Sequence, residues 1–195
     1  DWFKLGDRDL GLHLVRTQAL HDGVSLSAFT ARAARAFGVD AAILPATDDE
    51  LRTFVVTPAG TFSFQEWFVL RGHRDDVDAV DVRGHAEPAP GVLEAIARAD
   101  LLLIGPSNPY VSVGPILAVG AIRDALERRR VPCVAVSPLV AGRAVKGPAD
   151  RMLARLAGGT TPAHVASCYA GLIDALVVDE DDDVAGLAVE PIVTR

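Results

Sequence analysis

The chain has 195 residues, half of them hydrophobic, and a formal net charge of −7. This length and composition are typical of one globular domain with a substantial core. The acidic balance argues against a general nucleic-acid-binding protein, which would carry a basic face. No apolar run is long enough to cross a membrane, so we expect no membrane partner.

The opening residues and the cysteines indicate in which cellular compartment the protein is expected. Asp1-Trp2-Phe3-Lys4 lacks the charged-then-apolar order of a secretory signal. Cys133 and Cys168 lie far apart in sequence, and Cys133 falls within a predicted buried strand. This usage favours two reduced thiols over a disulfide, and we expect a cytoplasmic protein.

Residues 1–75 predict a mixed, largely helical segment. Apolar spacing predicts a helix over residues 10–20, and a second helix capped by Ser25 or Ser27 runs through Phe37. Strands are expected over residues 39–45 and 51–57, the latter followed by a turn. The aromatic-rich residues 61–71 are ambiguous. We expect residues 1–75 to form a mixed or mostly helical cap on the sheet of the following residues.

Residues 76–195 predict a Rossmann-like core in which strands and helices alternate. Strands are expected over residues 77–82, 101–104, 131–136 and 175–179, and helices over residues 90–98, 115–129, 148–156 and 162–172. Such alternation is typical of a parallel sheet with helices on its faces. We therefore expect an α/β, three-layer, mostly parallel sheet that forms one compact unit with the cap.

The first candidate binding loop follows the predicted strand at residues 101–104. Gly105 permits a tight turn, Ser107 and Asn108 offer side-chain donors, and Ser112 precedes the next helix. The carboxyl edge of a parallel sheet is where phosphate-bearing ligands bind. The alternative is that these residues simply form a turn and a helix cap.

The second candidate loop follows the neighbouring predicted strand. It contains Ser137, Arg143, Lys146 and Gly147, and Lys146 is the only lysine after Lys4. A cation among glycines suits contact with a diphosphate, although a solvated lysine on a mobile turn would look the same. Two such loops on adjacent strand ends favour a shared site for a nucleotide or a phosphate ester, with the Asn108 and Lys146 side chains in one pocket.

Two further segments carry candidate chemistry. Asp7 and Asp9 are candidate catalytic residues because they could hold a divalent cation or polarise a hydroxyl, yet the spacing equally suits a helix cap. Phe64, Gln65, Glu66 and Trp67 join polar groups to aromatics that could stack on a planar ligand, although a core segment is the simpler interpretation.

Several common enzyme classes are excluded by motif. The sequence has no Gly-x-Gly-x-x-Gly after a strand and no Gly-Lys-Ser/Thr phosphate loop. Its histidines have no metal-ligand spacing, and no Ser/His/Asp set is visible. Nothing in the sequence indicates covalent catalysis.

In the candidate segments described above, the sequence resembles the 2-phospho-L-lactate transferase family, whose actinobacterial members are described as phosphoenolpyruvate transferases. The resemblance covers nearly the whole chain in four ordered segments: residues 2–10 with His13, Arg16 and Thr17; residues 64–66; residues 105–109 with 112–117; and residues 137–140 with 146–150.

The resemblance implies a transfer in the biosynthesis of coenzyme F-420. A guanosine diphosphate linked to lactate or enolpyruvate would donate a substituted phosphate to the terminal hydroxyl of the deazaflavin Fo, with Mg²⁺ assisting and GMP leaving. Gly105, Ser107, Asn108, Ser112, Ser137, Arg143, Lys146 and Gly147 would then bind the donor. Phe64, Gln65, Glu66, Trp67 and Asp7 would lie towards Fo.

One departure and one rival accompany the resemblance. Family members open with a glycine-rich strand, loop and helix that this sequence lacks, so the main metal ligands and full activity are expected to depend on such a segment. The rival is a regulator that binds nucleotide-sugars on a similar sheet without catalysis, although its loop usually reads Gly-Pro-Gly-Ser where this chain has residues 105–108. The family also suggests a homodimer.

Overall fold

The structure, a computed structural model, describes residues 4–195. The part of the resemblance that falls on Trp2 and Phe3 lies outside the described residues. Seven α-helices and nine strands form within the described part of the chain. The helices are α1 (Asp7–His21), α2 (Leu26–Ala36), α3 (Val92–Arg98), α4 (Gly114–Leu117), α5 (Gly120–Glu127), α6 (Ala149–Leu156) and α7 (Pro162–Ser167). The strands are β1 (Arg52–Thr57), β2 (Gly60–Ser63), β3 (Ala79–Arg83), β4 (Leu102–Ile104), β5 (Cys133–Val136), β6 (Leu139–Val140), β7 (Arg143–Ala144), β8 (Ala175–Asp179) and β9 (Glu190–Thr194).

The α/β class is confirmed by a four-stranded parallel sheet in the order β4-β5-β8-β9. Leu102 pairs with Cys133, Val134 pairs with Ala175 and Ala175 pairs with Glu190, and all three strand pairings are parallel. The core against this sheet contains Leu153 of α6, Val165 of α7 and Leu176 of β8, all fully buried. No helix within residues 4–195 combines the length and apolar character needed to span a membrane.

Two expectations about strands are wrong, and β9 was not predicted. The strand at β3 does not join the parallel sheet, because it pairs antiparallel with β1 in a second sheet of order β2-β1-β3. Residues 39–45 form no strand; Ile43 and Leu44 are 48% and 40% exposed, and no strand of residues 4–195 pairs with this segment. β9 was missed because Pro191 interrupts the sequence pattern expected of a strand. All five residues of β9 are exposed, and a strand at the edge of a sheet tolerates both the proline and the exposure.

The two predicted parts of the chain share a core. Val55 and Trp67 from the first part pack with Val77 and Met152 from the second part. Together with the pairing of β3 to β1, this contact supports a compact unit. The division at residues 75 and 76 stays a prediction.

Asp174, which precedes β8, forms hydrogen bonds with the first residue of β5 and with an arginine that follows α5. Its carboxylate accepts from the backbone N–H of Cys133 at 2.8 Å and from Arg129 Nη2 at 2.9 Å. The hydrogen bond from Cys133, followed by that from Arg129, lowers the pKa of Asp174 below its ordinary value. The carboxylate therefore stabilises the folded chain more than the carboxylic acid does.

We expect Asp174→Asn to reduce the free energy of unfolding at pH 6, measured in urea, by an amount that shrinks as the pH falls below about 4. The lowered pKa of Asp174 means that its stabilisation is complete above the unfolded-state pKa and is lost as the pH falls through the folded-state pKa. Asp100→Asn, which removes an exposed carboxylate, is the control and should show no such trend. A gap between Asp174→Asn and wild type that is constant from pH 3 to 6 would contradict this account.

Candidate functional site

The first loop leaves β4 at Gly105 and is closed by Asn108. The Asn108 side-chain oxygen accepts from the backbone N–H groups of Tyr110 at 2.9 Å and Val111 at 3.3 Å. This bonding starts a π-helical turn over Pro109–Val113, with proline at its first position. Gly105, Ser107 and Ser112 are exposed on the same loop. The loop residues therefore form both a turn and an exposed polar surface.

The helix expected over residues 115–129 is interrupted. The structure has α4 over four residues and α5 over eight, with Val119 in an extended conformation between them at ψ 94°. Gly120, a poor helix former, begins the second piece. The long helix dipole that the sequence predicts at Ser112 is therefore absent, and an anion at this loop would depend on hydroxyl and backbone donors.

The second loop is a hairpin rather than an open turn. Ser137 Oγ donates to the Leu139 carbonyl and accepts from the Leu139 N–H, both at 3.1 Å, which leads the chain into β6. β6 and β7 are joined by Ala141 and Gly142, both at positive φ, as a two-residue hairpin turn requires. The side-chain hydroxyl of Ser137 is thus used in shaping the loop.

The cations of the second loop are exposed. Arg143, Lys146 and Gly147 all lie on the surface. Within residues 4–195, neither Arg143 nor Lys146 has a carboxylate within 4 Å. Gly147 adopts φ 77°, a left-handed conformation that a residue with a side chain rarely adopts. Both side-chain charges remain available to an anion.

The two loops leave the same edge of the parallel sheet, because β4 and β5 are hydrogen-bonded neighbours. The first loop also contacts the helix that follows the second loop, because Asn108 Nδ2 donates to Met152 Sδ of α6 at 3.2 Å. α6 begins three residues after Lys146. That the Asn108 and Lys146 side chains share one pocket stays a prediction, since the Asn108 amide faces the backbone and Met152.

A cavity of about 430 Å³ borders the first loop. Its walls are mainly apolar and come from α3, β4 and α5, with Ser107 and Ser112 as polar members. No described residue of the second loop lines it. A volume of this size is within the range of small-molecule sites, and the mixture of aliphatic walls with two hydroxyls suits an uncharged portion of a ligand.

Tyr110 adds a neutral hydroxyl beside the first loop. Burial raises the pKa of Tyr110, and a hydrogen bond from Cys168 Sγ at 3.5 Å contributes in the same direction. The phenol therefore stays protonated at ordinary pH. Both cysteines are free thiols, in agreement with the sequence: Cys133 is buried and Cys168 is half-buried.

The aromatic segment is divided between surface and core. Gln65 is exposed, and Phe64 and Glu66 are half-buried, so these three side chains are accessible to a ligand. Trp67 is only 1% exposed, and its Nε1 donates to the Asp75 carbonyl at 3.3 Å. Its ring offers no face to solvent. The Phe64 ring lies 6.4 Å from the Trp67 ring and stacks on the Phe68 ring at 5.2 Å, both measured between ring centroids, so Trp67 supports Phe64 from the core.

Asp7 and Asp9 lie exposed in the first turn of α1. Gly6 is the N-cap, and no side chain caps the helix, so the two acids act on the helix only through its positive end. Residues 4–195 contain no cluster of three or more His, Cys, Asp or Glu side chains arranged to hold a metal. A catalytic role for either carboxylate stays a prediction.

Met152 is the site residue that sequence reasoning missed. It lies 44 residues from Asn108, and a single methionine in a helix carries no local signal of such a contact. Only a prediction of long-range contacts would have found it.

Comparison with known proteins identifies the family of this chain. The sequence profile of the family described as 2-phospho-L-lactate transferase CofD matches residues 2–189. A 2-phospho-L-lactate transferase of Methanosarcina mazei is 38% identical over 181 residues, covering 92% of this chain and 59% of the relative. A phosphoenolpyruvate transferase of Kitasatospora aureofaciens is 44% identical over 197 residues, covering 97% of this chain and 61% of the relative.

A solved structure shares the fold. A member of the upf0052 family from Bacillus halodurans superposes with a TM-score of 0.67 at 18% identity, covering 95% of this chain and 64% of that one. The chain spans about three fifths of the length of the curated relatives it matches. On the extent of the profile match and the identity to these relatives, the chain belongs to the 2-phospho-L-lactate transferase CofD family.

Proposed function

We propose that this chain carries the donor-binding part of a transferase in coenzyme F-420 biosynthesis. The transferred group is a phospholactyl or phosphoenolpyruvyl group, the donor is its guanosine-diphosphate-linked form, and the acceptor is the terminal hydroxyl of Fo. The observation that carries the proposal is the pair of adjacent strand-end loops in a chain of this family: one has exposed hydroxyls, and the other has two cations that no carboxylate of residues 4–195 pairs with.

The chemistry requires positioning rather than an enzyme nucleophile. The hydroxyl oxygen of Fo forms a new bond to the phosphorus that bears the lactyl or enolpyruvyl group. Its proton passes to a carboxylate, for which Asp7 and Asp9 are the candidates, or to water. The bond from that phosphorus to the GMP oxygen breaks, and GMP leaves with the electron pair. Fixed cations stabilise the charge that develops on the leaving phosphate.

The described residues divide these tasks. Arg143 and Lys146 would contact the donor phosphates, and Gly147 and Gly105 would let the backbone approach them. Ser107 and Ser112 would donate to the remaining donor oxygens. Phe64, supported by Trp67, would stack on the flat deazaflavin ring, with Gln65 and Glu66 at its polar edge. Asp7 and Asp9 are candidates for acting on the acceptor hydroxyl.

Magnesium, the homodimeric state and the cytoplasmic location stay predictions. Residues 4–195 do not by themselves supply three grouped His, Cys, Asp or Glu side chains for a metal ion.

Calorimetric titration with GDP tests the donor assignment. We expect the wild-type chain to bind GDP and Lys146→Ala to bind it about tenfold to hundredfold more weakly, because a charge-assisted contact to phosphate is lost. Lys4→Ala is a matched control, because Lys4 is the only other lysine and is also exposed. Equal GDP affinity in Lys146→Ala and wild type would contradict the assignment.

Two further titrations separate the transferase from the regulator. Saturable binding of Fo and GDP supports the transferase. Saturable binding of a UDP-sugar, with neither Fo nor GDP bound, favours the non-catalytic nucleotide-sugar-binding regulator. In the transfer assay itself, the appearance of GMP from Fo and the guanosine-linked donor is the direct readout.

A further inference from the structure

The Asn108 side chain has little bonding capacity left for a ligand. An amide oxygen accepts two hydrogen bonds and an amide nitrogen donates two. Oδ1 is already used twice, by the backbone N–H groups of Tyr110 and Val111. Nδ2 already donates to Met152 Sδ at 3.2 Å. Only one N–H of this side chain remains available.

Met152 connects the segments that the proposed reaction needs to hold together. It is 2% exposed and lies in α6, the helix that follows the Lys146 loop. It packs in one cluster with Trp67, and Tyr110 and Val111 of the first loop pack against the same cluster. The cluster therefore touches the first loop, the helix after the second loop and the aromatic segment.

We propose that Asn108 is a positioning residue that, through Met152, sets the first loop at a fixed separation from the Lys146 loop and the aromatic segment. The inference rests on the proposed function, because the separation matters only if a donor and an acceptor meet between these segments. Transfer between two bound substrates is sensitive to misplacement of about 1 Å. A buried contact between rigid elements is suited to holding that distance, whereas exposed loop residues are not.

The alternative is that Asn108 binds the donor directly. The two roles predict different behaviour for Met152→Leu, which keeps the volume of the side chain but removes the sulfur acceptor. A directly binding Asn108 would be indifferent to this change. A positioning Asn108 would lose its anchor, and the affinity for the donor nucleotide would fall.

Nuclear magnetic resonance can observe this contact without ambiguity. The chain has one methionine, so a ¹³C-labelled methionine methyl gives one signal. It has one asparagine, so the side-chain amide signals of Asn108 need to be distinguished only from those of Gln18 and Gln65. We expect a nuclear Overhauser effect between the Met152 methyl and the Asn108 amide. We also expect the methyl signal to move when GDP is added, which a purely structural contact would not produce.

The variants complete the test. We expect Asn108→Ala and Met152→Leu each to weaken GDP binding about three- to tenfold, the range of one neutral hydrogen bond. The double variant should be no weaker than Asn108→Ala, because both changes break the same contact. Gln18→Ala, which removes an exposed side-chain amide in α1, is the control and should bind GDP like wild type.

The outcomes distinguish a failure of the positioning role of Asn108 from a failure of the proposed donor binding. If the wild-type chain fails to bind GDP, the donor assignment fails, and the inference fails with it. If GDP binds but the methyl signal stays still, or Met152→Leu binds GDP as wild type does, the inference alone is overturned. Met152→Leu is conservative enough to fold even if Asn108→Ala does not.

Discussion

Trp67→Ala is expected to lower the free energy of unfolding by about 3–5 kcal/mol, the range for removing a buried tryptophan. The ring is 1% exposed and packs against Val55, Val77 and Met152. Its removal leaves a cavity where the two predicted parts of the chain meet, and it also frees the Asp75 carbonyl that accepts from Nε1. Denaturation in urea, followed by circular dichroism, measures the loss.

The matched control is Phe37→Ala. Phe37 is also a large aromatic side chain, but it is 67% exposed, so its truncation should change the free energy of unfolding by no more than about 0.5 kcal/mol. A loss below about 1 kcal/mol for Trp67→Ala would show that the ring is not a core residue in solution. The accessible, ligand-stacking interpretation of Trp67 would then regain support.

Gly84→Ala is expected to cost about 1–3 kcal/mol in the free energy of unfolding, the range for forcing a side chain into a disfavoured backbone conformation. Gly84 follows β3 at φ 122°. A Cβ added there would overlap the carbonyl oxygen of Glu50 and lie 3.2 Å from the Leu51 side chain. Because the overlap is with backbone, β1 and β3 would have to separate at this end, and the same urea denaturation would report it.

Gly11→Ala is the matched control for this change, and it should act in the opposite direction. Gly11 lies inside α1, and apart from its chain neighbours and the backbone of the helix itself, an added Cβ there would meet no atom of residues 4–195 within 4 Å. Alanine is the better helix former, so a gain of up to about 1 kcal/mol is expected. Equal losses for both glycine variants would contradict this account, because the loss could then not be assigned to the backbone conformation of Gly84.

Some features of the candidate site can be predicted from neighbouring residues in the sequence, and others cannot. The two loops are recognisable because each follows a short apolar strand and begins with turn-forming residues, both of which are local signals. The sequence also predicts that Asn108 serves either as ligand or as cap, but its contact with Met152 spans 44 residues. Likewise, nothing local distinguishes the buried Trp67 from the half-buried Phe64 beside it.

The sequence by itself determined the α/β class, most helices and strands, and the two polar loops at neighbouring strand ends. These features depend on apolar periodicity and turn chemistry within about a dozen residues. Only the tertiary structure decided that β3 pairs with β1, that the helix after the first loop is broken at Val119, and that Asn108 faces Met152. The reason is physical: strand pairing and core packing are set by partners distant in sequence, whose competition local patterns do not record.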